Sequence, residues 1–289
     1  MGNFFSDFKK LIKLRLTVLV VFSASVSFLI GSKEQGEINW INWLILTIGG
    51  FLVTGAANGF NEIIEKDLDK LMSRTSDRPL PAGRMTTGQA MVLSLCMGIF
   101  GTYILLILNA LTGILSVFSI FLYAFLYTPM KRKSPIAVFI GAFPGALPPL
   151  IGYFAAFDQP IISSTAIILF SIQFVWQFPH FWAIAWVLDD DYKKAGFRLL
   201  PAKKRDRTSA FITLLSTIVL IPVSLMPTVY GFGGYIVGGI SLVCGLIFCW
   251  YAIQLFFKLD IPSAQKLMFG SFFYLPIVQL SLLFDFIVR

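Results

Sequence analysis

The stretch that decides the fold is WINWLILTIGGFLVTGAANGFNEIIEKDLDKLMSRTSDRPL, residues 40–80. Its first part, 40–58, carries no charge and is close to the roughly 20 residues that an apolar helix needs to cross a bilayer. The rest places four carboxylates within eight residues, Glu62, Glu65, Asp67 and Asp69, and goes on to the bases Lys70, Arg74 and Arg78. Segments like the first part recur along the chain. Its 289 residues are 57% hydrophobic and 13% charged, with 30 Phe and a mean hydropathy of +0.80. A soluble domain would carry roughly 25% charged residues. Spans are expected at about 14–31, 40–58, 89–110, 112–128, 136–156, 165–188, 209–228, 235–257 and 267–287, each helical because backbone groups in lipid must bond internally. The chain is thus expected to be an all-α polytopic membrane protein with nine transmembrane helices.

The net charge of +8 raises nucleic acid as a partner. The distribution of the charge excludes it. If the N-terminus is cytoplasmic and sides alternate, every one of the 23 basic residues except Lys33 and Arg289 falls on the cytoplasmic side. That asymmetry predicts N-terminus in and C-terminus out. Cys96, Cys244 and Cys249 lie within spans and form no CxxC, so they are expected to be small buried apolar residues. The opening MGNFFS fits a myristoylation pattern at Gly2 and Ser6, but one acyl chain adds little to an integral protein. Phe4, Phe5, Phe8, Leu11 and Ile12 are instead expected to form an interfacial amphipathic turn. There is no cleavable signal and no Arg/Ser-rich transit segment, which points to a multi-pass protein of a bacterial plasma (inner) membrane.

The chain is expected to be one membrane domain, 1–289. Its outward connections are short, and two cytoplasmic ones, 59–88 and 189–208, are long. Both open on acids and continue with bases, four spans apart, as in a weak internal repeat. Tight turns would have sufficed as connectors, so these loops are expected to be the working surface.

On a helix, Asn61, Glu65 and Asp69 share one face, which Thr54 and Asn58 continue into the membrane, while Asp67 points away. Carboxylates one turn apart repel by roughly 3 kcal/mol at an effective dielectric of 20. A divalent cation reverses that sign, and hard oxygens with few protein contacts suit Mg²⁺. The competing reading is a solvated helix laced by pairs such as Glu62–Lys66. The second cluster, Asp189, Asp190 and Asp191, stands at a helix C-terminus, where the dipole disfavours acids. Together the clusters could hold two metal ions on one diphosphate, with Arg74, Arg78, Lys131, Lys193 and Lys194 neutralising it.

Span six reads SIQFVWQFPHFWAIAWVLDDDY, with Gln173, Gln177, His180 and Asp191 on one stripe and Pro179 expected to kink it. His180 is the only histidine, and intramembrane ionisable groups mark functional sites. Three readings stay open for it: a neutral ring bonded to backbone, a haem-iron ligand, or a proton acceptor. In YTPMK, Tyr127 and Lys131 stand one turn apart at the inner end of span four, with Pro129 at a helix break. The plain alternative is an interfacial Tyr with a snorkelling Lys. GAFPGALPPLIG in span five is expected to be too rich in Gly and Pro for a regular helix, which implies a cavity or close packing.

The segment Asn61 to Asp69 resembles the NxxxDxxxD motif of the UbiA intramembrane prenyltransferase superfamily, with Glu65 in place of the middle Asp. YTPMK resembles its YxxxK. KLRLTVLV, YTPMKRKSP and WQFPHFWAIAWVLDDDYKKAGFRLLP resemble more narrowly the protohaem IX farnesyltransferase (haem O synthase) family, over about residues 10–285. One departure is that Asp191 is followed four residues later by Ala195, where the superfamily has DxxxD. The resemblance implies nine helices around a central cavity and transfer of farnesyl from farnesyl diphosphate to the 2-vinyl group of haem B, with water added. It implies Mg²⁺ on Asn61, Glu65, Asp69, Asp190 and Asp191, and roles in catalysis for Asn61, Glu65, Asp69, Tyr127, Lys131 and His180. Arg74, Arg78, Lys193, Lys194, Asn58 and Gln177 would bind substrate, and Lys13 and Arg15 would pair with haem propionates. The partners implied are membrane lipid and haem A synthase or terminal oxidase assembly. Two alternatives differ testably: a quinone-precursor prenyltransferase of the same superfamily does not need His180, and an anion transporter needs ionisable residues at the midplane. A non-catalytic haem-binding subunit would not depend on Mg²⁺.

Overall fold

A computed structural model describes residues 4–288, and every regular element in them is helical. In order these are α1 (Phe4–Leu11), α2 (Leu14–Gln35), α3 (Trp40–Asp69), α4 (Thr87–Leu108), α5 (Ala110–Ile120), a π-helical stretch Phe121–Tyr127, α6 (Thr128–Met130), α7 (Ala137–Phe154), α8 (Ser164–Val187), α9 (Asp189–Lys194), α10 (Arg207–Val229), α11 (Tyr235–Lys258) and α12 (Ile261–Val288). Among the described residues nine helices are long and apolar enough to cross a membrane, Ala110–Met130 counting as one. Their ends carry the expected signals. Asn39 accepts from the amides of Ile41 and Asn42, and Thr86 and Gln89 close a capping box. Asn109, Ser163 and Asp206 cap α5, α8 and α10, and Gly36 closes α2 at a φ of 96°.

Apolar side chains such as Ile99, Phe100, Tyr103 and Trp250 face outward, while Ser27, Ser94, Thr217 and Ser241 are buried. That inversion is what lipid selects: helices associate there through small residues and close packing rather than through exclusion of water. The chain is a multi-pass membrane protein.

The described residues fall into two compact units. The first runs to Pro160 and takes in Asp190–Phe197; the second holds Ile161–Asp189 and the chain from Arg198 on. In the first unit α3 packs on α4 and α2 on α7. Helices α2 and α7 meet so closely that a Cβ on Gly152 would lie 1.9 Å from the Ala24 carbonyl oxygen. Ile12, Ala56, Phe60, Met97 and Ala124 form one core cluster. Leu11 packs with Leu80, Met85 and Ala90 in another, so Leu11 and Ile12 are interior residues, not part of an interfacial turn. Phe4 and Phe5 of α1 are exposed, as an amphipathic turn requires. Gly2 lies outside the described residues.

Three other expectations are corrected. Span two does not end at 58: α3 is one helix of 30 residues, so the acid stripe rides on the membrane helix itself. GAFPGALPPLIG is regular helix, with Pro144, Pro148 and Pro149 inside α7. Neighbouring helices enclose that segment, and buried surroundings support a backbone that loses donors to proline. The cysteines are not core residues: Cys96 is exposed, Cys244 and Cys249 are half-buried, and all three are free.

In the second unit α8 packs on α10 and α12, and α11 lies against both of those. Ile168, Ile172 and Leu275 form its core with Trp176, Val223 and Met226 against them. Helix α8 runs unbroken through Pro179. The buried Asp285 accepts from the amides of Gly234 (2.6 Å) and Val237 (3.2 Å), tying α12 to the start of α11.

Candidate active site

The C-terminal turns of α3 bury Asn58, Asn61, Glu62, Glu65 and Asp69, and leave Asp67 exposed in a pair with Lys70. Buried carboxylates need partners, and other elements deliver them. Lys131 lies 2.8 Å from Glu65 Oε1 and donates to Oε2 at 2.9 Å. Asn61 donates to the same Oε2 at 3.0 Å and to Thr128 Oγ1 at 2.9 Å. Lys13 donates to Asn61 Oδ1 at 2.6 Å and reaches the Tyr123 hydroxyl at 3.5 Å. Arg78 Nη1 donates to Asp69 Oδ2 at 2.7 Å, and its Nε is 3.5 Å from Glu62 Oε1. Three carboxylates and three cations thus interlock on one face of α3.

Local backbone sets these positions. Lys13 joins α1 to α2 at a φ of 49°, and Asn58 donates to the Ile12 carbonyl (3.1 Å) and Thr17 Oγ1 (3.2 Å) beside it. A left-handed lysine costs about 1–3 kcal/mol and persists only where its surroundings hold it. YTPMK is not a simple helix break: the π-helical stretch ends where the Thr128 backbone N–H donates a hydrogen bond to the Tyr123 carbonyl oxygen, and α6 follows with Pro129 in its first turn. The π register stacks Tyr123 against Tyr127 and brings Lys131 to 4.9 Å above the Tyr127 ring, with Phe197 at 5.4 Å. Single π turns of this kind gather at functional sites.

Charge follows the geometry. Burial works against the Lys131 ammonium, yet Glu65 outweighs it and holds the group above its ordinary value. Burial likewise opposes Arg78, and Asp69 and Glu62 raise it. Lys13 moves the other way: burial, then the charge of Arg78, pulls it below its ordinary value against the attraction of Glu62.

The donor set fits a hard dication. Asp69 Oδ1 and Glu62 Oε2 are buried and have no hydrogen-bond partner in the protein. Among the described residues no three His, Cys, Asp or Glu side chains converge as a ready-made cage. Mg²⁺ does not need one, since it takes a minority of its shell from protein and the rest from water and phosphate.

The second acidic cluster divides. Asp191 Oδ1 accepts from the Ser73 amide and hydroxyl and from Lys194, each at 3.0 Å, and Oδ2 from the Arg74 amide at 3.2 Å. It therefore meets the loop that follows α3. Partial burial works to raise its carboxyl, but those donors, the Ser73 amide first, hold it well below the usual carboxylate range. Asp190, Lys193 and Lys194 are exposed on α9, and the Arg74 guanidinium stands 6.0 Å from the Tyr192 ring. Asp189 is buried, with Oδ2 3.8 Å from Arg205 Nε, and that guanidinium also donates to the Trp186 carbonyl at 2.7 Å. Arg15 is exposed.

In the second unit the His180 ring stacks on Trp176 at 4.3 Å and 18°, and its Nδ1 is 2.7 Å from Ser271 Oγ. Gln177 is buried, and Gln279 donates to Gln173 at 3.0 Å.

Sequence reasoning missed Glu62, Tyr123, Thr128 and Ser271. Glu62 reads as a surface partner of Lys66, but Lys66 bonds Thr87 Oγ1 at 3.3 Å and Glu62 turns inward to Arg78. Its place beside Asn61 was the only available signal.

The C-terminal end of one membrane helix thus carries a buried carboxylate stripe with unpartnered oxygens, ringed by cations. The chain belongs to the UbiA prenyltransferase family, whose model matches residues 20–276. Within that family it is similar to the protoheme IX farnesyltransferases of Cytophaga hutchinsonii, 46% identical over 287 residues and 99% of both chains, and of Aquifex aeolicus, 34% identical over 99% of this chain and 97% of the relative. Solved structures share the fold. A digeranylgeranylglyceryl phosphate synthase superposes with a TM-score of 0.82 at 20% identity over 99% of both chains. A UbiA homolog from Archaeoglobus fulgidus bound to GPP and Mg²⁺ superposes with a TM-score of 0.63 at 11% identity, over 96% of this chain and 99% of that one.

Proposed function

We propose that the protein transfers the farnesyl group of farnesyl diphosphate to the 2-vinyl group of haem B and adds water, giving haem O and diphosphate. Relatives of that name, 34–46% identical over nearly the whole chain, support the substrate pair. The observation that carries the chemistry is the buried cluster in which Glu65 and Asp69 stand against Lys131 and Arg78.

Asn61, Glu65 and Asp69, with Asp190 and Asp191, would hold Mg²⁺, which when bound would supply positive charge against the diphosphate. The chain's own cations do the rest. As C1–O of farnesyl diphosphate breaks, negative charge grows on the leaving group, and Arg78, Lys131 and Lys13, which is held on Asn61 in this cluster instead of being set aside for a haem propionate, meet it already oriented and largely desolvated. Arg74, Lys193 and Lys194 add charge from the loop and α9. Losing one such preorganised donor costs roughly 10²–10³ in rate. The Tyr123 and Tyr127 rings offer π faces to the allylic cation and exclude water that would quench it. The terminal vinyl carbon of haem B bonds to C1, water adds to the resulting carbon cation, and the added water loses a proton. His180 serves the haem step, as proton acceptor or iron ligand.

The one-domain reading, N-terminus cytoplasmic and C-terminus outside, in a bacterial plasma membrane, belongs to the same proposal. So do haem A synthase or oxidase assembly as downstream partners. The cellular test is chromatography of haems extracted after expression in a host lacking its own haem O. Haem O in the wild type and none with Asp69→Asn is expected; a prenylated quinone precursor in place of haem O overturns the substrate assignment.

A further inference from the structure

We infer that Ser271 is a positioning residue that fixes His180 as the Nδ1–H tautomer and so leaves Nε2 as the ring atom that offers a lone pair. Ser271 is buried on α12. Its hydroxyl has one proton and sits between two neighbours, the Met268 carbonyl oxygen at 2.6 Å and His180 Nδ1 at 2.7 Å. A carbonyl can only accept. If the hydroxyl proton pointed to His180, two lone-pair-bearing oxygens would face each other at 2.6 Å with nothing between them. The proton therefore goes to Met268, and Oγ accepts from Nδ1–H. Nε2 carries no proton while the ring is neutral.

The same residue holds the ring a second way. The Ser271 carbonyl accepts from Trp176 Nε1 at 3.0 Å, and Trp176 is the face on which His180 stacks. Phe272, next along α12, meets the His180 ring edge-on at 5.3 Å. Hydroxyl, carbonyl and ring thus set the tautomer, plane and tilt of one imidazole. A histidine whose far nitrogen donates to a fixed acceptor is how proteins aim the other nitrogen at an electron-pair acceptor, whether a metal or a proton. The tautomer stands on geometry alone; only the identity of what Nε2 meets rests on the proposed haem chemistry.

Because His180 is the only histidine in the chain, nitrogen-15 histidine labelling gives one imidazole and needs no assignment. In haem-free protein the proton is expected on Nδ1, with Nε2 in the lone-pair range. Ser271→Ala should move the proton toward Nε2, and Ser271→Thr should restore it. A protonated Nε2 in the wild type overturns the inference, and that measurement stands even where Ser271→Ala does not fold. An unchanged tautomer in folded Ser271→Ala overturns it equally. Kinetics separate the two uses of the lone pair. Iron ligation predicts that Ser271→Ala raises KM for haem and weakens an imidazole-type haem spectrum that His180→Ala abolishes. Proton acceptance predicts lower kcat at unchanged KM. Either effect is expected at about 10–100-fold, and a variant with neither overturns the role. None of the tautomer measurements requires farnesyl transfer, so their failure is distinguishable from failure of the substrate assignment.

Discussion

Glu65 takes donors from two elements at once, Lys131 after α6 and Asn61 from its own helix. Replacing Lys131 by Ala leaves Glu65 buried with one neutral donor. Stranding one partner of a buried pair costs about 3–5 kcal/mol, so detergent thermal unfolding of Lys131→Ala should shift down sharply. The double variant Glu65→Gln/Lys131→Met should recover most of that stability, because no charge is then stranded, while remaining inactive. Recovery of activity together with stability would show the pair to be scaffolding only. At this scale the sequence revealed Asn61, Glu65 and Asp69 through their four-residue spacing, and Lys131 through YTPMK. It hid Glu62, Thr128 and Ser271, whose contacts depend on which side of a helix a neighbour covers. Spacing encodes a helix face, and only packing says what lies against it.

At the scale of elements, Asp191 fastens α9 to the loop after α3 through the Ser73 and Arg74 amides. Its carboxyl is depressed in the fold, so the stability it adds is complete above its ordinary value of 3.8 and is lost as pH falls through the lower folded value. Hydrogen exchange at those two amides should stay slow from neutral pH to about 4 and quicken only in stronger acid; Asp191→Asn should quicken it at neutral pH. Exchange that does not respond to the substitution would mean the loop is held by other contacts. Close helix contacts give a second test. A Cβ on Gly152 would sit 1.9 Å from Ala24 backbone, and one on Gly141 would sit 2.7 Å from the Tyr127 ring. Gly152→Ala is expected to lose folded protein, at a cost above about 4 kcal/mol. Gly141→Ala is expected to fold, because a ring can shift, and to lose activity by displacing Tyr127. Equal yields and activity for both would contradict the packing. Proline content misled the reading of α7, because the cost of proline depends on whether the freed carbonyls are buried among partners, and composition cannot say.

Across the whole molecule, the nine apolar runs and the family likeness were legible because hydrophobic length and an acid stripe are periodic signals. The hydropathy run of span two stops at 58, just before the first charges, while the helix continues to Asp69 beneath them, as the stripe of Thr54, Asn58, Asn61, Glu65 and Asp69 indicated. That continuation places the acid stripe on a membrane helix rather than on a flexible loop. The most direct test reconstitutes the pure protein in liposomes with haem B and farnesyl diphosphate and follows haem O and diphosphate by chromatography and mass. The account predicts equal amounts of both products, abolished by chelation, restored by Mg²⁺, and absent in Asp69→Asn at any Mg²⁺ concentration. Haem O formed at the wild-type rate by Asp69→Asn, or by chelated wild-type protein, would contradict it.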